Sequence, residues 1–238
     1  MAPSARMIQT LELLTADECA QVATSLDALR PYWEKTSPFG RMYVLGAASY
    51  IHASREPAGS RYHERAARLA PVMRAHFGWV YERMLCAIAA AYGGAAVLAE
   101  GLGPPGFHIY RWDRARRPQV TSVHCDLQYE AHDFARYGTP DLASPLSFTV
   151  AVREPPGGAA MNLWPRTIAE ARRNPRAAFR AELATTPPRR VRYQLGELTL
   201  HSGLAFHQIE PFVLAPGEVR VTLQGHAVRC DDTWQVYW

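Results

Sequence analysis

Lysine is almost absent from this chain: Lys35 is the only one, and the other basic residues are arginines. Against 22 acidic residues the 26 basic ones leave a formal net charge of +4, too weak to mark a nucleic-acid binder by itself. The preference for arginine reads as codon usage before it reads as function. Cysteine is scarce as well. Cys19, Cys86, Cys125 and Cys230 lie far apart and form no CxxC pair, which argues against a disulfide framework and against a zinc ribbon. Reduced thiols in the cytoplasm are the expectation. Long apolar runs are missing too. The most apolar stretch, 84–98, is interrupted by Gly93-Gly94 and is too short to span a bilayer. No basic start with an apolar core of signal-peptide type is visible. Together these absences predict a soluble cytoplasmic protein with no membrane partner.

What is present is an ordinary globular composition, 48% hydrophobic and 20% charged, enough for a substantial core. Two textures divide the chain near residue 104. Upstream the pattern is helical. Thr15-Ala16-Asp17-Glu18 is a capping box, followed by an apolar stripe at Cys19, Val22, Leu26 and Leu29 that stops at Pro31. A longer helix is predicted over about 60–92, broken near Pro71 and ended by Gly93-Gly94, with a short strand at 42–46 between the two. Downstream, short runs of period two alternate with Pro/Gly turns, predicting strands at 106–112, 119–124, 147–153, 161–164, 197–201, 206–212 and 218–228. The segment 166–192 carries eight arginines and reads as a helix followed by a loop. The expected fold class is mostly β with packed helices (α+β). Residues 1–103 form an N-terminal helical region packed on a jelly roll of residues 104–238, the two making one structural unit.

His124-Cys125-Asp126 places an imidazole and a carboxylate one residue apart, so that on a strand both leave the same face. An HxD alone is common in chains of this size and selects no function. A second piece is the strand Gly196-Glu197-Leu198-Thr199-Leu200, a turn at 201–205, and a strand carrying His207. A hairpin of this kind either returns His207 to the HxD, giving two imidazoles and a carboxylate suited to Fe(II), or leaves it packed in a barrel wall. The third piece is the alternation in 220–226: Arg220, Thr222 and Gln224 share one face, Val221 and Leu223 the other. The polar face lies either in solvent or towards a polar pocket, where Arg220 offers a planar pair of donors to a carboxylate.

The order HxD, G-E-L-x-L strand, His on the next strand, then R-x-T resembles the 2-oxoglutarate/Fe(II)-dependent dioxygenase superfamily in its prolyl-hydroxylase-like arrangement. Gly106-Phe107-His108-Ile109-Tyr110 stands where that group has a tyrosine-bearing strand. Residues 146–152 with Pro156-Gly157-Gly158 resemble its sheet strand and glycine turn. The resemblance covers roughly 104–228 and implies a double-stranded β-helix (cupin-like jelly roll). It implies iron ligands and catalytic residues at His124, Asp126 and His207. It also implies Arg220 as the anchor of the distal carboxylate of 2-oxoglutarate, Thr222 as its helper, and Tyr110 as a further donor, with His108 competing for that role on the same strand face. The co-reactants implied are Fe(II), 2-oxoglutarate and O2, consumed to succinate and CO2. Because halogenases of the family replace the carboxylate ligand by a small residue, Asp126 favours a hydroxylase. Desaturation and ring closure stay open. The stretch 113–118 is unusually rich in arginine, and the insert 166–192 has no counterpart in the family pattern.

The substrate is expected to be a small amino-acid-like, peptide or natural-product molecule. Gln128, Tyr129, Asn162 and Trp164 either line its pocket or serve as packing. Arg111, Arg114, Arg116 and Arg117 either receive an acidic substrate or form a solvated loop. Two rival readings keep the fold: a cupin-like iron dioxygenase that does not use 2-oxoglutarate, and a non-catalytic metal- or ligand-binding jelly roll. Nucleic-acid binding through 166–192 is disfavoured, because that segment has few aromatics for stacking.

Overall fold

The computed structural model describes residues 8–36, 42–53, 60–112 and 121–238. Strand β1 (Ile8–Glu12) leads into helix α1 (Ala16–Ala28), whose start is the expected capping box: the Thr15 hydroxyl accepts the Glu18 N–H and Glu18 accepts the Thr15 N–H. Strands β2 (Glu34–Lys35) and β3 (Met42–Leu45) pair antiparallel. After the single turn α2 (Ser49–His52) comes the 33-residue helix α3 (Ser60–Tyr92). Pro71 does not break it. The carbonyl that loses its partner belongs to Ala67, which lies on the exposed side with Pro71, where water can satisfy it. Strand β4 (Ala95–Leu98) follows the Gly93-Gly94 stop, where both glycines take positive φ.

The second half supplies β5 (Gly106–Arg111), β6 (Pro140–Arg153) and β7 (Ala160–Thr167). The arginine-rich insert then forms two short helices, α4 (Ile168–Arg173) and α5 (Arg176–Thr185), and an edge strand β8 (Arg189–Arg192) rather than a helix and a loop. The last strands are β9 (Glu197–Ser202), β10 (Ala205–Ile209), β11 (Val219–Cys230) and β12 (Thr233–Tyr237). β10 stops short of the expected 212 because Pro211 has no N–H for a ladder. Of the expected strand 119–124, residues 119 and 120 lie outside the described residues. The remainder makes one bridge, His124 to His207.

The larger sheet runs β1-β9-β6-β11-β5-β3-β2, with β12 paired to both β11 and β4; the smaller is β10-β7-β8. The N-terminal region is thus helical only in part. β1 extends the larger sheet beside β9, β3 pairs with β5, and β4 runs parallel to β12. β3 is the expected short strand at 42–46, whereas β1 and β4 escape sequence reading because their partners lie up to about 190 residues away and their own runs are only four or five residues long.

One alternation organises the interior. Val221 and Leu223 on β11 join Phe107 and Ile109 on β5 in the core under α1 and α3. The buried stripe of α3, with Leu69, Met73, Phe77, Tyr81, Met84 and Ile88, recurs every three or four residues and packs into the same core. The opposite face of β11 looks between the two sheets. Arg220 and Thr222 there are 1% and 0% exposed. The polar face therefore points inward.

Candidate metal centre

The turn at Gly203-Leu204 carries the chain from β9 in the larger sheet to β10 in the smaller one, and the HxD lies against it. His124 N–H donates to His207 O (3.0 Å), His207 N–H to His124 O (2.9 Å), and Asp126 N–H to Gly203 O (2.8 Å). Only His124 makes a strand bridge, yet this extended backbone keeps the period of two and sends both ligand side chains to one side. Cys125, between them, donates its S–H to Leu204 O.

The ligand atoms of His124, Asp126 and His207 lie within 4.8 Å of one another. Asp126 Oδ1 is 3.7 Å from His124 Nε2, and Oδ2 is 3.4 Å from His207 Nε2. Donors each bound to one ion at right angles sit about 3 Å apart, so small rotations close this set around a metal. Each imidazole is also oriented from behind. His124 Nδ1–H donates to Ser122 O (2.8 Å) and His207 Nδ1–H to Ala205 O (3.0 Å), which leaves both Nε2 atoms facing the carboxylate. Gln128 donates to Asp126 Oδ1 at 3.2 Å. Burial alone would raise the Asp126 carboxyl, but the charges of His207, His226 and His124 and the His207 hydrogen bond hold it well below the usual carboxylate range. Burial would likewise lower His207, yet the charge and hydrogen bond of Asp126 outweigh it and raise its pKa.

The three face a cavity of about 440 Å³. Tyr110 and Gln128 are on its wall, as expected. Two further histidines complete the ring: His201, whose ring centre is 4.5 Å from that of His207, and His226, whose Nδ1 is 4.0 Å from Asp126 Oδ2 and 3.1 Å from Ser147 Oγ. Burial pushes His201 down to about 3 and also lowers His226. His108 lines the wall as well, pushed by burial to about 3, and shares a 2.5 Å hydrogen bond with Tyr50. The alternation that put Arg220, Thr222 and Gln224 on one face extends to His226, so this histidine was visible in the sequence. Tyr193, also on the wall, was not, because it sits where the insert rejoins the barrel through Tyr193 N–H to Ala159 O.

The expected anchor sits one layer behind that wall. Arg220 is opposite Tyr110 in the β11–β5 register, and its guanidinium centre lies 5.9, 5.3 and 5.2 Å from the rings of Tyr110, Tyr193 and Phe212. Its Nε meets Glu154, while Nη2 is buried with no hydrogen-bond partner among the described residues. Thr222, opposite His108, accepts from Gln224 at 3.2 Å.

Of the four residues left open between pocket and packing, three lie elsewhere. Tyr129 is buried in a separate cluster with Tyr62 and Phe134, because a 3-10 turn at Gln128–Ala131 turns it away from Gln128. On β7 the odd residues face inward, Met161 on the cavity wall and Leu163 in the adjoining core. Asn162 and Trp164 face the other way, Trp164 donating its indole N–H to Thr186 O in the insert. Arg111 is exposed away from the cavity, beside Arg153 and Trp33. Arg114, Arg116 and Arg117 lie outside the described residues.

No family model and no curated protein matches the sequence. Solved structures do match. An N-substituted L-amino acid dioxygenase from Burkholderia ambifaria superposes with a TM-score of 0.50 at 14% identity, over 97% of this chain and 98% of that one. The chain shares the fold of that dioxygenase. Other matches are a Pseudomonas putida prolyl-4-hydroxylase (TM-score 0.44, 13% identity, 95% and 94% covered) and the non-heme α-ketoglutarate-dependent epimerase SnoN of nogalamycin biosynthesis (0.47, 15%, 94% and 80%). At such identities the likeness is one of fold alone, and the chemistry has to be argued from the side chains.

Proposed function

We propose that this chain is an Fe(II)- and 2-oxoglutarate-dependent oxygenase that hydroxylates an unactivated C–H bond of a small amino-acid-like, peptide or natural-product substrate. The observation that carries the reading is the convergence of His124 Nε2, the Asp126 carboxylate and His207 Nε2 on the wall of one cavity. Two neutral imidazoles and one carboxylate suit Fe(II) and leave further positions for ligands. When bound, iron with 2-oxoglutarate and O2 supplies the oxidising power for the C–H bond, with succinate and CO2 as co-products. The chain's own part is to hold and orient. Ser122 O and Ala205 O fix the two rings, and Gln128 steadies Asp126. The buried, partnerless Nη2 of Arg220 fits the distal carboxylate of 2-oxoglutarate, with Tyr110 and Thr222 in the register positions around it.

In the same reading residues 1–103 and 104–238 act as one unit, since β1, β3 and β4 are paired with strands of the second part. Among the described residues no helix is long and apolar enough to cross a membrane, and the four cysteines are free thiols, which fits a reducing cytoplasm. One observation favours the cupin-like rival without 2-oxoglutarate: Arg220 already has a carboxylate partner in Glu154 and lies behind the cavity wall. Incubating the chain with Fe(II), 2-oxoglutarate and air separates the two. The proposal expects succinate to form even slowly without substrate and to stop when oxygen is withheld. Iron retained with no succinate would leave the rival standing.

A further inference from the structure

Arginine offers a carboxylate two planar edges, one through Nε and Nη2 and one through the paired Nη groups. In this chain the first edge is taken at Nε. Glu154, just past the end of β6, brings Oε1 to 3.0 Å and Oε2 to 3.1 Å from Arg220 Nε. Its side chain is 10% exposed and that of Arg220 1%, so the pair is held away from water. The Nη end is different: Nη2, which belongs to both edges, is buried and has no partner among the described residues, and the guanidinium carbon lies near three rings, two of which form the cavity wall. An uncompensated guanidinium is costly at such a place. Glu154 removes that cost before any ligand arrives and fixes which way the planar group is turned.

We propose that Glu154 is a positioning residue for the co-substrate anchor, holding Arg220 by Nε so that only the Nη edge is presented, towards Tyr110 and Tyr193, to a ligand carboxylate. The inference rests on the 2-oxoglutarate reading above and adds to it a residue outside the motif pattern. It also gives Glu154 two opposed effects on an anionic ligand. The hydrogen bond to Nε favours binding by preorganisation, and the negative charge opposes it. A neutral acceptor at this position keeps the first effect and removes the second.

The test is anaerobic titration of the iron-loaded chain with 2-oxoglutarate, comparing wild type with Glu154→Gln, Glu154→Ala and Glu154→Asp. Glu154→Gln retains an oxygen for Nε and is expected to bind within about threefold of wild type or tighter, whereas Glu154→Ala and Glu154→Asp, which lose or withdraw that oxygen, weaken binding about tenfold or more. Fe(II) affinity stays unchanged in all three. The affinity for 2-oxobutyrate, which lacks the distal carboxylate, also stays unchanged, a result that a merely structural defect would not give. Should Glu154→Ala fail to fold, Glu154→Gln and Glu154→Asp carry the comparison. Wild-type affinity in Glu154→Asp, or equal losses in Glu154→Gln and the other variants, would overturn the inference alone. A wild-type chain that binds Fe(II) but no 2-oxoglutarate would overturn the functional reading, and this inference with it.

Discussion

Replacing His207 by alanine is expected to lower Fe(II) affinity at least ~100-fold and to abolish succinate formation, because a ligand removed costs more than the outer-shell losses of roughly 10–100-fold. Its ring is 5% exposed, is fixed from behind by Ala205 O and meets Asp126 at 3.4 Å, so neither water nor a neighbour can replace it without rearrangement. His201 and His226, the further imidazoles beside this pair, each have a different partner, Ser202 O and Ser147 Oγ. Equilibrium dialysis with Fe(II) checks the first part and succinate release the second. The metal-free variant also loses the largest of the histidine interactions that hold the Asp126 carboxyl down, so its acid limb should move. A depressed carboxyl contributes stability that is present above its unfolded pKa and is lost as the pH falls through the folded one. With that depression reduced, acid unfolding of His207→Ala begins at a higher pH. An active His207→Ala chain would transfer the ligand role to His201 or His226.

Replacing Arg220 by alanine has two separable consequences. 2-Oxoglutarate binding should fall by roughly two orders of magnitude, since a charged, planar pair of hydrogen bonds is worth about 1.5–3 kcal/mol, while Fe(II) binding stays close to wild type. The fold should also weaken by about 3–5 kcal/mol at neutral pH, because Glu154 is left buried without its cation. The pH dependence identifies the cause. Burial already raises the Glu154 carboxyl, with Arg220 pulling it partly back; without Arg220 it rises further. A raised carboxyl favours the protonated folded state, so the deficit shrinks as the pH falls through the raised value towards the ordinary 4.5. Denaturant melts at several pH values read this directly. If iron is lost to the same degree as 2-oxoglutarate, the anchor is misassigned.

Most of this site could be read locally. The capping box at Thr15 and the alternation of β11 each depend on residues within a few positions of one another, and each is found where the pattern put it. By contrast, β9 and β10 follow one another across a turn but lie in different sheets instead of pairing as the expected hairpin. What failed was longer-range. β7 is buried on both faces, with Leu163 in the core and Trp164 under the insert, so its sequence does not say which face meets the cavity. Tyr129 follows Gln128 directly and was left open between pocket and packing; a single 3-10 turn separates the two environments and gives it to packing. Glu154 and Tyr193 belong to segments just outside strands, where tertiary contact rather than period sets direction. His201 and His226 were legible by parity alone, yet nothing short of the assembled cavity shows that five histidines share it.

The central claim is that one cavity holds Fe(II) through His124, Asp126 and His207 and 2-oxoglutarate beside it. Its most direct measurement is the visible spectrum of the iron-loaded chain during anaerobic addition of 2-oxoglutarate. The account predicts a weak charge-transfer band that grows with 2-oxoglutarate and saturates at equal amounts of metal, co-substrate and chain. A chain that has bound Fe(II) and shows no new band at saturating 2-oxoglutarate would contradict it.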